Sequence, residues 1–134
     1  MKKEKIDYII VEASYGSLEL ISNFIQKKCI LSNLSFKKTW ELMLTVDEIC
    51  SSIITCKNND PNIIKVTWEN VDNLIKIEII DDGTSFNPLN VRETDYGLGF
   101  QLIKEMIDYC EYKRENGYNV VILKKYKRKC KNKK

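Results

Sequence analysis

Apolar residues follow two rhythms along this chain, a period near two in five short stretches and a helical period in three longer ones. Ile6 to Val11 is a short β-rich run with room for one strand. Ser17 to Ile30 carries Leu18, Ile21, Phe24 or Ile25, and Cys29 at helical spacing, with capping candidates in Ser14-Tyr-Gly-Ser17 ahead of it. Leu31-Ser-Asn-Leu-Ser35 separates this helix from a longer one over Phe36 to Cys56, which Asn58-Asn-Asp-Pro61 stops. In that second helix Leu42, Val46, Ile49 and Ile53 form one apolar stripe, broadened by Met43, Cys50 and Ile54, and this stripe is the candidate core.

Beyond the second helix, Ile63 to Trp68 and Leu74 to Ile80 alternate as two strands around Glu69-Asn-Val-Asp-Asn73, a hairpin pattern. Asp81 to Tyr96 is a long polar loop, longer than most connections in compact domains, and its length marks it as a candidate binding loop. A third helix is expected from Leu98 to about Tyr109. A closing hairpin of Tyr112 to Arg114 and Asn119 to Tyr126 turns through Glu115-Asn-Gly117, where Asn-Gly is a strong turn signal. The order β-α-α-β-β-α-β-β, with mostly hairpin-linked strands, predicts an α+β two-layer sandwich with the helices on one face of a single sheet.

Composition narrows the class. The chain has 134 residues, 43% of them apolar and 31% charged, which fits one globular domain with a single core. No apolar run approaches the ~20 residues that span a bilayer, and Met-Lys-Lys-Glu-Lys-Ile-Asp at the start lacks the apolar stretch of a signal peptide, so a cytoplasmic protein is expected. The net charge of +3 hides an asymmetry: residues 124 to 134 hold eight basic side chains and no acid, leaving −5 on the rest. The domain is assigned to residues 1 to 125, and 126 to 134 to a basic tail expected to be disordered. Such a tail suits an acidic partner, nucleic acid or an anionic surface, or simply a solvated terminus; direct nucleic-acid binding is the less favoured of these readings. Five cysteines without a C-x-x-C pair, and no histidine, argue against a zinc site and exclude a His base or a phosphohistidine.

The chemistry concentrates in Ile79-Ile-Asp-Asp-Gly-Thr-Ser-Phe-Asn-Pro88 and in Tyr96-Gly-Leu-Gly-Phe100. The first places the Asp81 carboxylate at a strand end, where it can accept a hydrogen bond from an exocyclic amine. In the second, glycines without Cβ atoms let the backbone approach a ligand at the start of a helix, whose unpaired N–H groups favour phosphate. Each fragment alone is also the composition of a plain turn. Glu48 and Ser52 are four apart on the second helix, so both can face one site. On the helix alone Glu48 reads as a surface acid; if the two glycine segments lie against this face, it is the carboxylate beside the phosphates and a candidate base.

Taken together, the mid-helix acid, the Asp81-Asp82-Gly83 segment after a hairpin and Gly97-Leu-Gly-Phe-Gln-Leu-Ile-Lys-Glu-Met-Ile-Asp108 resemble the GHKL (Bergerat-fold) ATPases, and within them the small anti-sigma-factor serine/threonine kinases. The resemblance covers nearly the whole chain. It implies a mixed, mostly antiparallel sheet and ATP or ADP as ligand. Asp81 would bind the adenine amino group, with Gly83 making room for the ring, and Gly97, Leu98 and Gly99 would meet the phosphates. Glu48 would be the general base for transfer of the γ-phosphate to a serine or threonine of an anti-anti-sigma-type partner. The resemblance further implies a homodimer and a sigma factor as a second partner.

Three departures from the family pattern bear on these roles. Ser52 stands where the family holds Mg²⁺ with an asparagine, and a serine hydroxyl is shorter and a poorer ligand. Asn119 stands in place of a threonine that supports the adenine-binding aspartate, though its amide can still donate a hydrogen bond. The first helix has no arginine, a residue that such proteins often use to contact sigma. The competing expectation is therefore a nucleotide-binding regulator without transfer, acting by partner binding alone.

Overall fold

The computed structural model describes residues 6–56, 60–90 and 99–128, and these form five strands and three α-helices. The strands are β1 (Ile6–Glu12), β2 (Ile63–Val71), β3 (Leu74–Asp81), β4 (Tyr109–Glu115) and β5 (Tyr118–Tyr126); the helices are α1 (Leu18–Leu31), α2 (Phe36–Thr55) and α3 (Gly99–Met106). The strands make one sheet in the order β1-β2-β3-β5-β4, with every described pairing antiparallel. This is the α+β sandwich that the pattern predicts.

Local chemistry explains the boundaries. Asn116 and Gly117 both take positive φ, 53° and 82°, the conformation of a two-residue hairpin turn, so Glu115 lies opposite Tyr118 and Arg114 opposite Asn119. The β2–β3 turn is tighter than its polar sequence suggests. The strands pair out to Val71 and Leu74, and Asp72 takes the left-handed position at φ 53°. A 3₁₀ turn over Tyr15–Ser17 precedes α1, and the Ser17 side chain makes no capping bond. The far end of α1 closes as a Schellman motif: Leu34 N donates to Cys29 O at 3.1 Å and Asn33 N to Ile30 O at 3.1 Å, with Asn33 at φ 60°. Ser35 Oγ then caps α2 by accepting from Lys38 N at 3.1 Å.

The apolar stripes meet in one core. Ile21, Ile25 and Cys29 of α1 and Leu42, Val46, Ile49 and Ile53 of α2 pack on the inner residues of β2, β3 and β5, including Trp68, Ile77 and Leu123. Each such side chain contributes about 1.5–3 kcal/mol by leaving water. Met43 and Ile54 border the core half-buried, while Cys50 lies fully inside it.

α3 differs from its expected extent. Its described residues end at Met106, and Tyr109 is already the first residue of β4. Pairing with β5 outcompetes helix continuation here: Asp108 N donates to Lys124 O at 3.1 Å and Asp108 Oδ2 accepts from Tyr126 N at 2.8 Å. Lys125, buried on the core side of β5, donates to Met106 O at the helix end and pairs with Glu41 of α2 at 2.9 Å. One ammonium thereby ties α2, α3 and β5 together.

The chain remains fastened past β5. Lys127 N donates to Asn73 O at 2.8 Å, Arg128 N to Asn73 Oδ1 at 3.0 Å, and Lys127 Nζ to Asn70 Oδ1 at 2.7 Å. Tyr126, Lys127 and Arg128, read from sequence as the start of a tail, are attached to the β2–β3 hairpin. Residues 129–134 lie outside the described residues.

Candidate functional site

Asp81 is the last residue of β3, and the sheet register decides its neighbours. It lies opposite Ile64 on β2 and Asn119 on β5, and Asn119 in turn lies opposite Arg114 on β4. Cross-strand partners share a face and sit within reach of one another. Ile64, Asp81, Asn119 and Arg114 therefore form one row across four strands at the edge of the core. Asp81 and Asn119 are each 1% exposed.

Asn119 is the hub of that row. Its Nδ2 donates to Asp81 Oδ1 at 2.9 Å and to Thr84 O at 2.7 Å. Its Oδ1 accepts from Tyr112 Oη at 2.7 Å, Arg114 Nη1 at 3.0 Å and Phe86 N at 3.2 Å. Three donors converge on an oxygen with two lone pairs, so the longest contact, from Phe86, is the weakest of the three. The donors on one side and the acceptors on the other leave a single orientation for the amide. Asp81 Oδ1 also accepts from Gly83 N at 2.8 Å, and Arg114 Nη1 donates to Gly83 O at 2.8 Å. The turn after β3 is thus held to both β5 and β4.

The two adjacent acids have different jobs. Asp82 Oδ1 accepts from Asn62 N at 2.7 Å and Ile63 N at 3.1 Å, stapling the start of β2 to the end of β3. Burial pushes the Asp82 carboxyl up, but the amides of Ile63 and Asn62 outweigh it and hold the group below its ordinary value. Asp81 is instead the buried carboxylate facing the helical layer. Its charge is felt on α2, where burial first, and then Asp47 and Asp81, push the Cys50 thiol well above the usual range.

The first part of the long loop is ordered against this row. Asn87 Oδ1 accepts from Leu89 N at 2.9 Å, and a 3₁₀ turn over Pro88–Asn90 buries Leu89 against α2 and α3. Phe86 packs on the core rim. Gly97 and Leu98 lie outside the described residues, and Gly99 opens α3. On α2, Glu48 is half-buried, whereas Ser52, one turn on, is 3% exposed.

A divalent cation fits the described residues poorly. No group of three or more His, Cys, Asp or Glu side chains comes together among them. Ser52, the position expected to bind Mg²⁺, has a short side chain within the buried face of α2. Mg²⁺ requires near-octahedral oxygen ligands and normally keeps several waters, which a buried hydroxyl on a helix flank does not accommodate.

The resemblance implied that Asn119 supports Asp81 and that Gly83 lies beside it, and in the fold both residues bond to the Asp81 carboxylate. Tyr112 and Arg114 were not singled out. A two-residue turn at Asn116-Gly117 was a sufficient signal for Arg114, because counting back from that turn puts it opposite Asn119.

Comparison with known proteins bears on this geometry. A family model described as histidine kinase-like ATPase domain matches residues 11–125. Among solved structures, the chain is similar to the crystal structure of the RsbU and RsbW domains of Rv1364c from Mycobacterium tuberculosis, with a TM-score of 0.68 over 90% of this chain at 9% identity. At that identity the likeness concerns the fold alone, and the match spans 32% of the solved chain. No curated protein matches the sequence.

Proposed function

Because the chain belongs to the histidine kinase-like ATPase domain family, we propose that the row centred on Asp81 is the adenine end of an ATP site and that the protein is an ATP-dependent regulatory kinase of the anti-sigma type. The observation that carries the reading is the buried Asp81 carboxylate at the end of β3, oriented by Asn119 Nδ2 and Gly83 N. A carboxylate accepts from the exocyclic amine of adenine, where guanine would present a carbonyl oxygen. Binding in a largely buried site strengthens that discrimination, since a mismatched polar pair is left unsatisfied.

Phosphate recognition falls to Gly97, Leu98 and Gly99, the last of which opens α3, where backbone amides and the helix dipole favour anions. In the transfer step, the hydroxyl oxygen of a partner serine or threonine forms a bond to the γ-phosphorus as the bond to the ADP oxygen breaks. The hydroxyl proton passes to Glu48, whose place on α2 in the same half of the helix as Ser52 suits that role. An anti-anti-sigma-type protein is the substrate class, a sigma factor the second partner, and a homodimer the working assembly.

A second reading rests on Ser52. A buried hydroxyl at the metal position favours a regulator that binds nucleotide and acts on its partner by occupancy, without transfer.

Calorimetric titration of ATP, ADP and GTP into the protein, with and without Mg²⁺, tests both. Adenine nucleotides are expected to bind, GTP to bind far more weakly, and Asp81→Asn to lose ATP. ATP binding unchanged in Asp81→Asn would remove the proposed site. Binding that Mg²⁺ leaves unaltered, with no ADP formed in the presence of candidate partners, would select the occupancy reading.

A further inference from the structure

At the other end of β3 from Asp81 the molecule presents a different surface. The last turn of α1 and the first turns of α2 expose Ile30 at 63%, Leu31 at 70%, Phe36 at 88% and Trp40 at 55%. These residues flank the short link of residues 32–35, which the Schellman closure of α1 and the Ser35 cap of α2 hold in one conformation. Phe36 and Trp40 are one helical turn apart and so share a face. Four large apolar side chains exposed around one capped link do not arise from fraying and mark a contact site.

The corner is also basic. Lys37 and Lys38 lie in the first turn of α2, which has no acid there, although the positive end of the helix dipole disfavours cations at that position. The link itself borders a cleft of about 280 Å³ lined by Ser32, Asn33, Leu34, Lys127 and Arg128. Asn70 Nδ2 donates to Ser32 Oγ at 3.0 Å while Asn70 Oδ1 accepts from Lys127 Nζ, so the two segments are joined side by side. Glu41, one residue after Trp40, is engaged by Lys125.

We infer that this corner, with Phe36 and Trp40 as its apolar points and Lys37 and Lys38 of α2 and Lys127 and Arg128 beside the link as its cations, docks the protein on an anionic lipid surface. Charge complementarity selects an anionic occupant. The aliphatic exposure of Ile30 and Leu31, which a sugar-phosphate backbone would leave unused, selects a bilayer over nucleic acid. Aromatic rings settle at the headgroup level while lysine stems run along the apolar boundary with their ammonium groups in the headgroups. Among the described residues no helix is long and apolar enough to cross a membrane; the attachment inferred is a peripheral one. A docked corner leaves the Asp81 end of the sheet facing away from the lipid, open to nucleotide and protein.

The experiment is co-sedimentation of the full chain with vesicles of phosphatidylcholine alone and of equal parts phosphatidylcholine and phosphatidylglycerol, read together with tryptophan emission. Trp68 is 4% exposed, so a blue shift on vesicle addition reports Trp40. Binding is expected for the anionic vesicles only, with the blue shift, and should weaken as salt rises. Phe36→Ser/Trp40→Ser, at exposed positions, should keep its fold and lose binding by about tenfold or more; Lys37→Gln/Lys38→Gln should lose about 30-fold. Binding to neither vesicle, equal binding to both, or wild-type binding by Phe36→Ser/Trp40→Ser would overturn the inference. Binding of DNA or RNA that Lys37→Gln/Lys38→Gln loses, with no binding to either vesicle, would assign the corner to nucleic acid. A dimer in solution that Phe36→Ser/Trp40→Ser abolishes would assign it to a second copy of the chain.

Discussion

Asn119 stands opposite Asp81 across the β3–β5 pairing and donates Nδ2 to its Oδ1 at 2.9 Å, inside a site where both residues are buried. The amide cannot turn over without setting its NH₂ against the donors of Tyr112 and Arg114, so the carboxylate is held in one orientation. Replacing Asn119 with Leu keeps the branched shape of the side chain and removes the donor. It should cost about 1–3 kcal/mol of stability, because Asp81 Oδ1 loses a buried partner. In the proposed site it should also weaken ATP binding by about tenfold or more. Urea unfolding and ATP titration on the same variant check the two parts.

Arg114 acts through Asn119 and Gly83 and is a positioning residue. Both bonds leave one nitrogen, Arg114 Nη1, and Arg114→Lys keeps the charge and enough donors but replaces the rigid planar group that aims them with a shorter, flexible ammonium. It should shift ATP affinity about threefold to tenfold while changing stability by under about 1 kcal/mol. Equal ATP affinity in Arg114→Lys and wild type, by calorimetry, would show that the β4 contact is not felt at the nucleotide.

Lys125 and Glu41 form a largely buried ion pair that joins β5 to α2. Removing one partner strands the other, so Lys125→Met should destabilise by about 3–5 kcal/mol. Lys125→Met/Glu41→Leu should recover much of that loss, because the pair is then replaced by apolar surface of similar size. Chemical denaturation of both variants against wild type measures the coupling.

Asp82 contributes to the acid limb of stability. Its folded-state carboxyl lies below the ordinary value of 3.8, so the unfolded chain binds the proton more readily. The stability from its bonds to Asn62 and Ile63 is present above pH 3.8 and is lost as the pH falls from there through the folded value. Asp82→Asn should therefore be less stable near neutrality and show a shallower decline below that pH. Thermal unfolding across an acid pH series would reveal parallel curves if the carboxylate were irrelevant.

Ser52→Asn tests why the metal position fits poorly. A longer side chain with an amide oxygen reaches beyond the helix flank, and in the proposed site it should make ATP binding more magnesium-dependent. Since Ser52 is 3% exposed, the added volume should also cost about 1–3 kcal/mol of stability. Calorimetry with and without Mg²⁺ separates the two effects.

Much of the fold was legible from local signals. Asn116-Gly117 demands a two-residue turn, because both residues tolerate positive φ, and that turn sets the β4–β5 register. The stripe of Leu42, Val46, Ile49 and Ile53 identifies the buried face of α2 because helical periodicity puts these residues on one side. The end of α3 was less legible: Met106, Ile107 and Tyr109 continue a helical rhythm, and only pairing with β5, with Lys125 at the helix end, converts Tyr109 to strand.

The sequence by itself determined the elements, the core stripes and the identity of the acid at the end of β3, because each depends on neighbours a few positions away. The tertiary structure alone decided that Tyr112 and Arg114 converge on Asn119, that Asp82 is a staple, and that Ser52 lies on the buried face of α2. Those outcomes depend on which strands are adjacent in the sheet and on which side of α2 lies against it. Residues 81 and 119 are joined through β5 inserting between β3 and β4, a choice governed by burial over the whole chain and carried by no short segment of it.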